Sequence, residues 1–254
     1  MAITQTPLSV WQNAFEYDPS LIDSEAVKKF FNRRNLDFCV GDPILENFRY
    51  RMEKDDTQLL FAVKDNSNRL TGVLSATINS KGVYTGKAAN GWTFLHTKTA
   101  NGFSGFVKFN SSSKVVCLSV RLESALIIAS VFKSVSTRAL LTSENLGRYY
   151  PEQGVKCVLV FPENEIETEI ALNLKEKLES GSQISFPTVI LPLPKGFKNW
   201  LSVYLGSAGS SAFMCLNEII KQSTHHVNMY YEFKRRMKSS LSGWLALTNS
   251  RSVE

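Results

Sequence analysis

The sequence predicts an α/β protein with an α+β N-terminal part: a helix and a β-meander, then a mainly parallel sheet, then C-terminal helices. Three observations carry this expectation. Residues 59–84 read LLFAVKDNSNRLTGVLSATINSKGVY, short β-prone runs separated by turn residues. From Ser111-Ser112-Ser113 onward, apolar runs alternate with segments of helical periodicity, the pattern of βαβ crossovers around a parallel sheet. Beyond residue 206 the spacing of apolar residues is helical throughout.

Each element follows from its residues. In DSEAVKKFFNRRNL, residues 23–36, Ala26, Val27, Phe30 and Phe31 share one helical face, Asp23 or Ser24 serves as N-cap, and Arg33-Arg34-Asn35 forms a basic end. Phe48-Arg49-Tyr50-Arg51 is extended. Strands near 58–64, 70–78 and 83–84 are separated by the turns Asp65-Asn66-Ser67-Asn68 and Asn79-Ser80-Lys81-Gly82. Gly91, Gly102 and Gly105 punctuate an irregular β region up to Asn110. Then follow a buried strand at 114–120, a helix at 122–132, a short strand at 137–141, a helical turn at 145–150 closed by Pro151, and a strand at 156–161. A helix over 165–179 repeats Ile166, Ile170, Leu174 and Leu178 every four residues, and a strand at 187–191 closes the series. Helices are expected at 212–222 and 226–245. The expected domains are 1–110, 111–205 and 206–254.

Composition narrows the class. With 254 residues, 43% hydrophobic, 14 Gly and 8 Pro, the chain is neither disordered nor collagen-like and is long enough to bury a core. The net charge is +6, and residues 206–254 hold half of the excess, with six Lys and Arg against three Asp and Glu. Such a basic end suits phosphates or an acidic partner, or merely solvates a helix face. Cys39, Cys117, Cys157 and Cys215 are too dispersed for a zinc site and read as buried free thiols. The N-terminus lacks a basic segment leading into an apolar one, and no apolar stretch approaches the roughly 20 residues that span a bilayer. A soluble, cytoplasmic protein in a reducing compartment is expected.

Chemistry in an open α/β sheet gathers at the carboxyl ends of its strands. Of the residues there, only Glu163 and Glu165 are paired carboxylates, and they precede a helix N-terminus. Two readings fit them: oxygen ligands for one Mg²⁺, or a solvated acidic helix start with Glu167 and Glu169. GxGxxG, Walker, GxSxG and HExxH patterns are absent. His96 is isolated, and His225-His226, adjacent on a helix, point in different directions.

The strand-end segments resemble those of Toprim domains, the metal-dependent nucleotidyl-transfer fold of DnaG-like primases and topoisomerases, and most resemble primase-related Toprim proteins of plasmids, phages and integrated elements. KVVCLSVRLESALIIA is similar to a strand ending in Glu-Gly before a helix start, with Leu122-Glu123-Ser124-Ala125-Leu126 reproduced. VLVFPENEIETEIALNLKEKL stands where the family has a strand ending in Asp-x-Asp, and Pro194-Lys195-Gly196-Phe197-Lys198-Asn199-Trp200-Leu201-Ser202 resembles P-x-G-x-K-D-W-N-D. Upstream, AVKDNSNRLTGVLSATINSKG is similar to the meander preceding this Toprim type, Ser104-Gly105-Phe106-Val107-Lys108-Phe109 to its Gly-Gly-x-V-R-L, and residues 23–50 to its first helix and arm. The likeness spans about residues 25–205. It implies a Toprim-like Rossmannoid sheet.

The departures fall on the chemistry. Carried over position by position, the family's general acid/base Glu becomes Val120, its neighbouring Gly becomes Arg121, its Asp-x-Asp becomes Glu163-Asn164-Glu165, and its last Asp pair becomes Asn199 and Ser202. Valine cannot transfer a proton, and two-metal phosphoryl transfer lacks its third carboxylate. Arg121 instead offers a positive charge to Glu163, Glu165 or a phosphate. The resemblance therefore implies a catalytically inactive, Toprim-like accessory protein of a mobile genetic element, without cofactor, Mg²⁺ being held only if Glu163 and Glu165 keep a weak site. Its expected partner is DNA or a protein of a conjugation, replication or secretion complex. The contact residues expected are Arg121 and Lys198, with Tyr230, Tyr231, Lys234, Arg235, Arg236 and Lys238 of the basic C-terminal helix. The alternatives are a scaffold subunit of a conjugation or type IV secretion assembly, and a residual Mg²⁺-dependent nuclease or nucleotidyl transferase.

Overall fold

Alternation of apolar and polar residues makes Phe48–Glu53 (β1) a strand, and β-prone, largely buried runs make strands of Asp56–Lys64 (β2) and Leu70–Ile78 (β3); with Thr93–His96 (β4) they form an antiparallel sheet in chain order. The structure, a computed structural model, describes residues 6–85, 92–96, 105–110, 113–180 and 186–206. These residues divide into two compact units, one ending at Phe109 and the other beginning at Asn110.

In the first unit, Pro7–Gln12 (α1) opens with a capping box, the Thr6 side chain accepting from the Ser9 backbone N–H, and Val10 packs on Leu60 and Val73. Glu25–Asn32 (α2) buries Val27, Phe30 and Phe31. Phe31 meets Phe48 at 5.3 Å and Phe38 at 4.9 Å between ring centroids, and Phe61 meets Phe48 at 4.9 Å and Phe109 at 5.9 Å. Val107–Phe109 (β5) follows an antiparallel bridge between Phe106 and Lys64.

The second unit contains the expected strand–helix alternation. Val115–Ser119 (β6), Ser136–Ala139 (β7), Cys157–Val160 (β8) and Thr188–Ile190 (β9) lie in the order β7-β6-β8-β9 with every neighbour parallel. β6, β7 and β8 are buried at every position, and the continuous apolar runs of β6 and β8 mark those two better than alternation does. Leu122–Val131 (α3), Ser143–Arg148 (α4), Glu165–Glu179 (α5) and Trp200–Leu205 (α6) complete the unit, α3 packing with α6 and α4 with α5. The chain leaves β6 for β7 on one side and crosses back to β8 on the other. The carboxyl ends of β6 and β8 therefore flank the topological switch point, where open α/β sheets have their crevice.

Several expectations need correction. The N-terminal helix begins only at Glu25, after a 3-10 turn over Ile22–Ser24, and Ser24 does not cap it: its hydroxyl donates to the carbonyls of Asp18 and Leu21. The strand expected at 83–84 is a single bridge from Tyr84 to Ile78, and β4 pairs with β3 instead. Cys117 and Cys157 are buried thiols, but Cys39 is exposed. Cys215, Tyr230, Tyr231, Lys234, Arg235, Arg236 and Lys238, together with the expected C-terminal helices, lie outside the described residues. Among the described residues no helix is long and apolar enough to cross a membrane.

Candidate functional site

At the switch point the chain leaves β6 through Val120 and Arg121. Val120 is buried, whereas Arg121, at the N-cap position of α3 with an extended backbone, makes no capping hydrogen bond. The adjacent strand β8 continues through Phe161-Pro162 to Glu163. The Glu163 side chain is wholly buried, and its Oε2 lies 2.7 Å from Nε of Arg121, which is 54% exposed. Oε1 of Glu163 accepts from the Trp200 backbone N–H at 3.1 Å and from the Ser124 hydroxyl. One carboxylate thus ties together the end of β6, the first turn of α3 and the start of α6.

The next residues are occupied by helix capping. Asn164 caps α5 by accepting from the Glu167 N–H at 2.8 Å, and Glu167 accepts from the Glu163 N–H at 2.9 Å and from the Asn164 amide at 2.9 Å. Asn199 and Ser202 form a second capping box: Asn199 Oδ1 accepts from the Ser202 N–H at 2.8 Å, and Ser202 Oγ accepts from the Asn199 and Lys198 N–H groups at 3.1 Å each. Lys198 itself is exposed, and Trp200 is fully buried with its ring 5.2 Å from that of Phe161.

Burial pushes the Glu163 carboxyl above its ordinary range. The Ser124 hydroxyl, the Trp200 N–H and the Arg121 guanidinium pull against that, and Glu167 adds to it. The structure brings Arg121, Glu163, Asn199 and Ser202 to the same strand ends but separates the two glutamates of the expected pair. Glu165 is an exposed first residue of α5, because a cap residue intervenes and the backbone turns from strand to helix between them. A Mg²⁺ ion does not fit this arrangement: it requires oxygen ligands, whereas the inward carboxylate is held by a guanidinium and two donors. Among the described residues no group of three or more His, Cys, Asp or Glu has metal-holding geometry.

Ser124, Glu167 and the Trp200 N–H were not expected as parts of the site. Only Glu167 leaves a local signal, the spacing Asn-x-x-Glu that marks a capping box.

No protein-family model matches the chain, and no curated protein matches it. Among solved structures, the primase fragment of the bacteriophage T7 primase-helicase aligns with a TM-score of 0.44 and 7% identity over 66% of this chain. The chain spans just under two thirds of that fragment, 66% of its length. A bacteriophage T7 structure of lagging-strand DNA polymerase interacting with primase domains bound to an RNA/DNA hybrid aligns with a TM-score of 0.38 and 8% identity, over 66% of this chain and 80% of the other.

Proposed function

We propose that this chain is a catalytically inactive, Toprim-like accessory protein of primase-related descent, encoded by a mobile genetic element and binding DNA or a DNA-processing partner. The observation that carries the reading is the Arg121–Glu163 pair at the switch point. Where the resembled family places a general acid/base and its metal ligands, this chain has a buried valine, an arginine that neutralises the inward carboxylate, and two residues, Asn199 and Ser202, that cap α6. Glu163 serves there as a structural tie.

The test has two arms. Purified protein is incubated with Mg²⁺ or Mn²⁺, nucleoside triphosphates, and single-stranded and duplex DNA; neither extension nor cleavage is expected. Activity that disappears in the Glu163→Gln, Glu165→Ala double variant overturns the inactive reading. A salt-dependent DNA titration, paired with recovery of partners from the source cell, then separates DNA binding from protein binding, because phosphate contacts weaken steeply as salt rises.

A further inference from the structure

Outside the switch point, a positively charged, open depression of the first unit lies between the C-terminal half of α2 and the turn after β3. Lys29, Asn32, Arg33 and Lys81 line a cleft of about 450 Å³. Every lining side chain is exposed and carries hydrogen-bond donors, and no carboxylate lines the cleft. Glu25 comes within 3.6 Å of Lys29, but both side chains are about half exposed, so the pair is weak and screened. Arg33 and Lys81 have no carboxylate partner among the described residues.

The cleft is held by backbone contacts. Arg33 Nε donates to the Lys81 carbonyl at 3.0 Å and Lys29 Nζ to the Ser80 carbonyl at 3.4 Å, joining helix and turn. Asn79 Oδ1 fixes the turn by accepting from the N–H groups of Lys81 and Val83 at 3.0 and 3.1 Å. Gly82 closes it at φ +71°, so near the helix that a Cβ there would stand 2.5 Å from the Phe30 nitrogen. The Arg33 guanidinium is thereby oriented through Nε, which leaves the ends of its planar fork to meet a phosphate with two parallel hydrogen bonds.

We infer that this cleft binds the phosphodiester backbone of a single nucleic-acid strand through Lys29, Arg33 and Lys81. A shallow, open site whose lining residues are three cations and an amide, with no aromatic or aliphatic residue among them, suits phosphates; a stable protein interface centres on buried aromatic or aliphatic side chains. The inference rests on the DNA-binding form of the reading above and adds a contact in the first unit to the one expected of Lys234, Arg235 and Arg236.

The test is fluorescence anisotropy of the full chain with a labelled oligothymidylate between 50 and 300 mM salt. Three phosphate contacts to a single strand contribute roughly 2 to the slope of log K against log salt. The Lys29→Gln, Arg33→Gln, Lys81→Gln variant loses that part of the slope and roughly two orders of magnitude in affinity at 50 mM salt, while Arg33→Lys keeps the slope. Circular dichroism checks folding; if the triple variant unfolds, Arg33→Gln alone lowers the slope by about 0.7. If the wild type binds and the cleft variant keeps its slope, while neutralising Lys234, Arg235 and Arg236 to Gln removes binding, the cleft assignment falls and the DNA-binding reading stands. No binding by the wild type at 50 mM overturns both. Equal competition by polyglutamate of matched charge overturns the assignment to nucleic acid.

Discussion

Replacing Glu163 by alanine should destabilise the second unit by about 4 kcal/mol. The change removes a wholly buried carboxylate that accepts from the Ser124 hydroxyl and the Trp200 N–H. Each orphaned buried donor costs about 1–3 kcal/mol, and the lost methylene adds about 0.8 kcal/mol. Arg121 is 54% exposed and regains water, so the broken ion pair adds well under about 1 kcal/mol. For a chain of this size about 4 kcal/mol lowers Tm by roughly 10 °C, measurable by calorimetry. Glu163→Gln keeps an acceptor and should cost much less at neutral pH. The pH dependence separates the two effects. Because the folded-state pKa of Glu163 is raised above its ordinary 4.5, the folded protein binds the extra proton, and the associated stability is fully present below that value and lost as pH rises through the folded pKa. The glutamine variant should therefore gain on the wild type as pH increases from 4 to 7. An alanine cost below about 1 kcal/mol, or a wild type that gains on the glutamine variant over that interval, would refute the structural role assigned to Glu163.

A half-buried glutamate, Glu152, should behave with the opposite sign. Burial raises the Glu152 carboxyl, but the Arg138 guanidinium, 2.7 Å away, and the Tyr149 hydroxyl, donating at 2.6 Å, outweigh it and hold the pKa below the usual 4.5. Its contribution is thus present above 4.5 and lost as pH falls through the lower folded value, and Arg138→Ala, which leaves that largely buried carboxylate with only the Tyr149 hydroxyl as side-chain partner, should cost about 3 kcal/mol in urea titration. Gly82→Ala should cost about 2–4 kcal/mol, since the residue combines a left-handed φ with a backbone atom 2.5 Å from the new methyl group; a cost below about 1 kcal/mol would show that the turn after β3 moves freely from α2. Reversing Lys234, Arg235 and Arg236 to Glu, with the fold checked by circular dichroism, should weaken DNA binding or partner recovery, and unchanged values in both assays would exclude that segment as a binding surface.

The strand–helix alternation of the second unit was legible because its parallel strands are covered on both faces. VVCLS and CVLV are buried at every position, and apolar runs of that kind survive without any knowledge of what they pack against. STRA is equally buried without being apolar, and its Arg138 is readable only once Glu152 is seen beside it. The six-residue helices α1 and α6 went unread: a segment that short has little periodicity, and each is defined by a capping box whose residues also occur in turns. The strand-end positions could be found by order along the chain, but not the side chain that organises them. Spacing makes Glu163 and Glu165 look like equals. The structure distinguishes them through Ser124, which is 39 residues away, and the N–H of Trp200, which is 37 away. Such contacts arise only when two crossovers bring strand ends together, and no local pattern encodes them. One feature was nevertheless written locally: Asn164 caps α5, and Glu167, three residues on, reaches back past the cap to the Glu163 N–H, so the backbone of Glu163 is committed to the start of α5. That commitment fixes the carboxylate where a neighbouring strand end delivers Arg121, and it accounts for an inward glutamate that serves as a tie between elements.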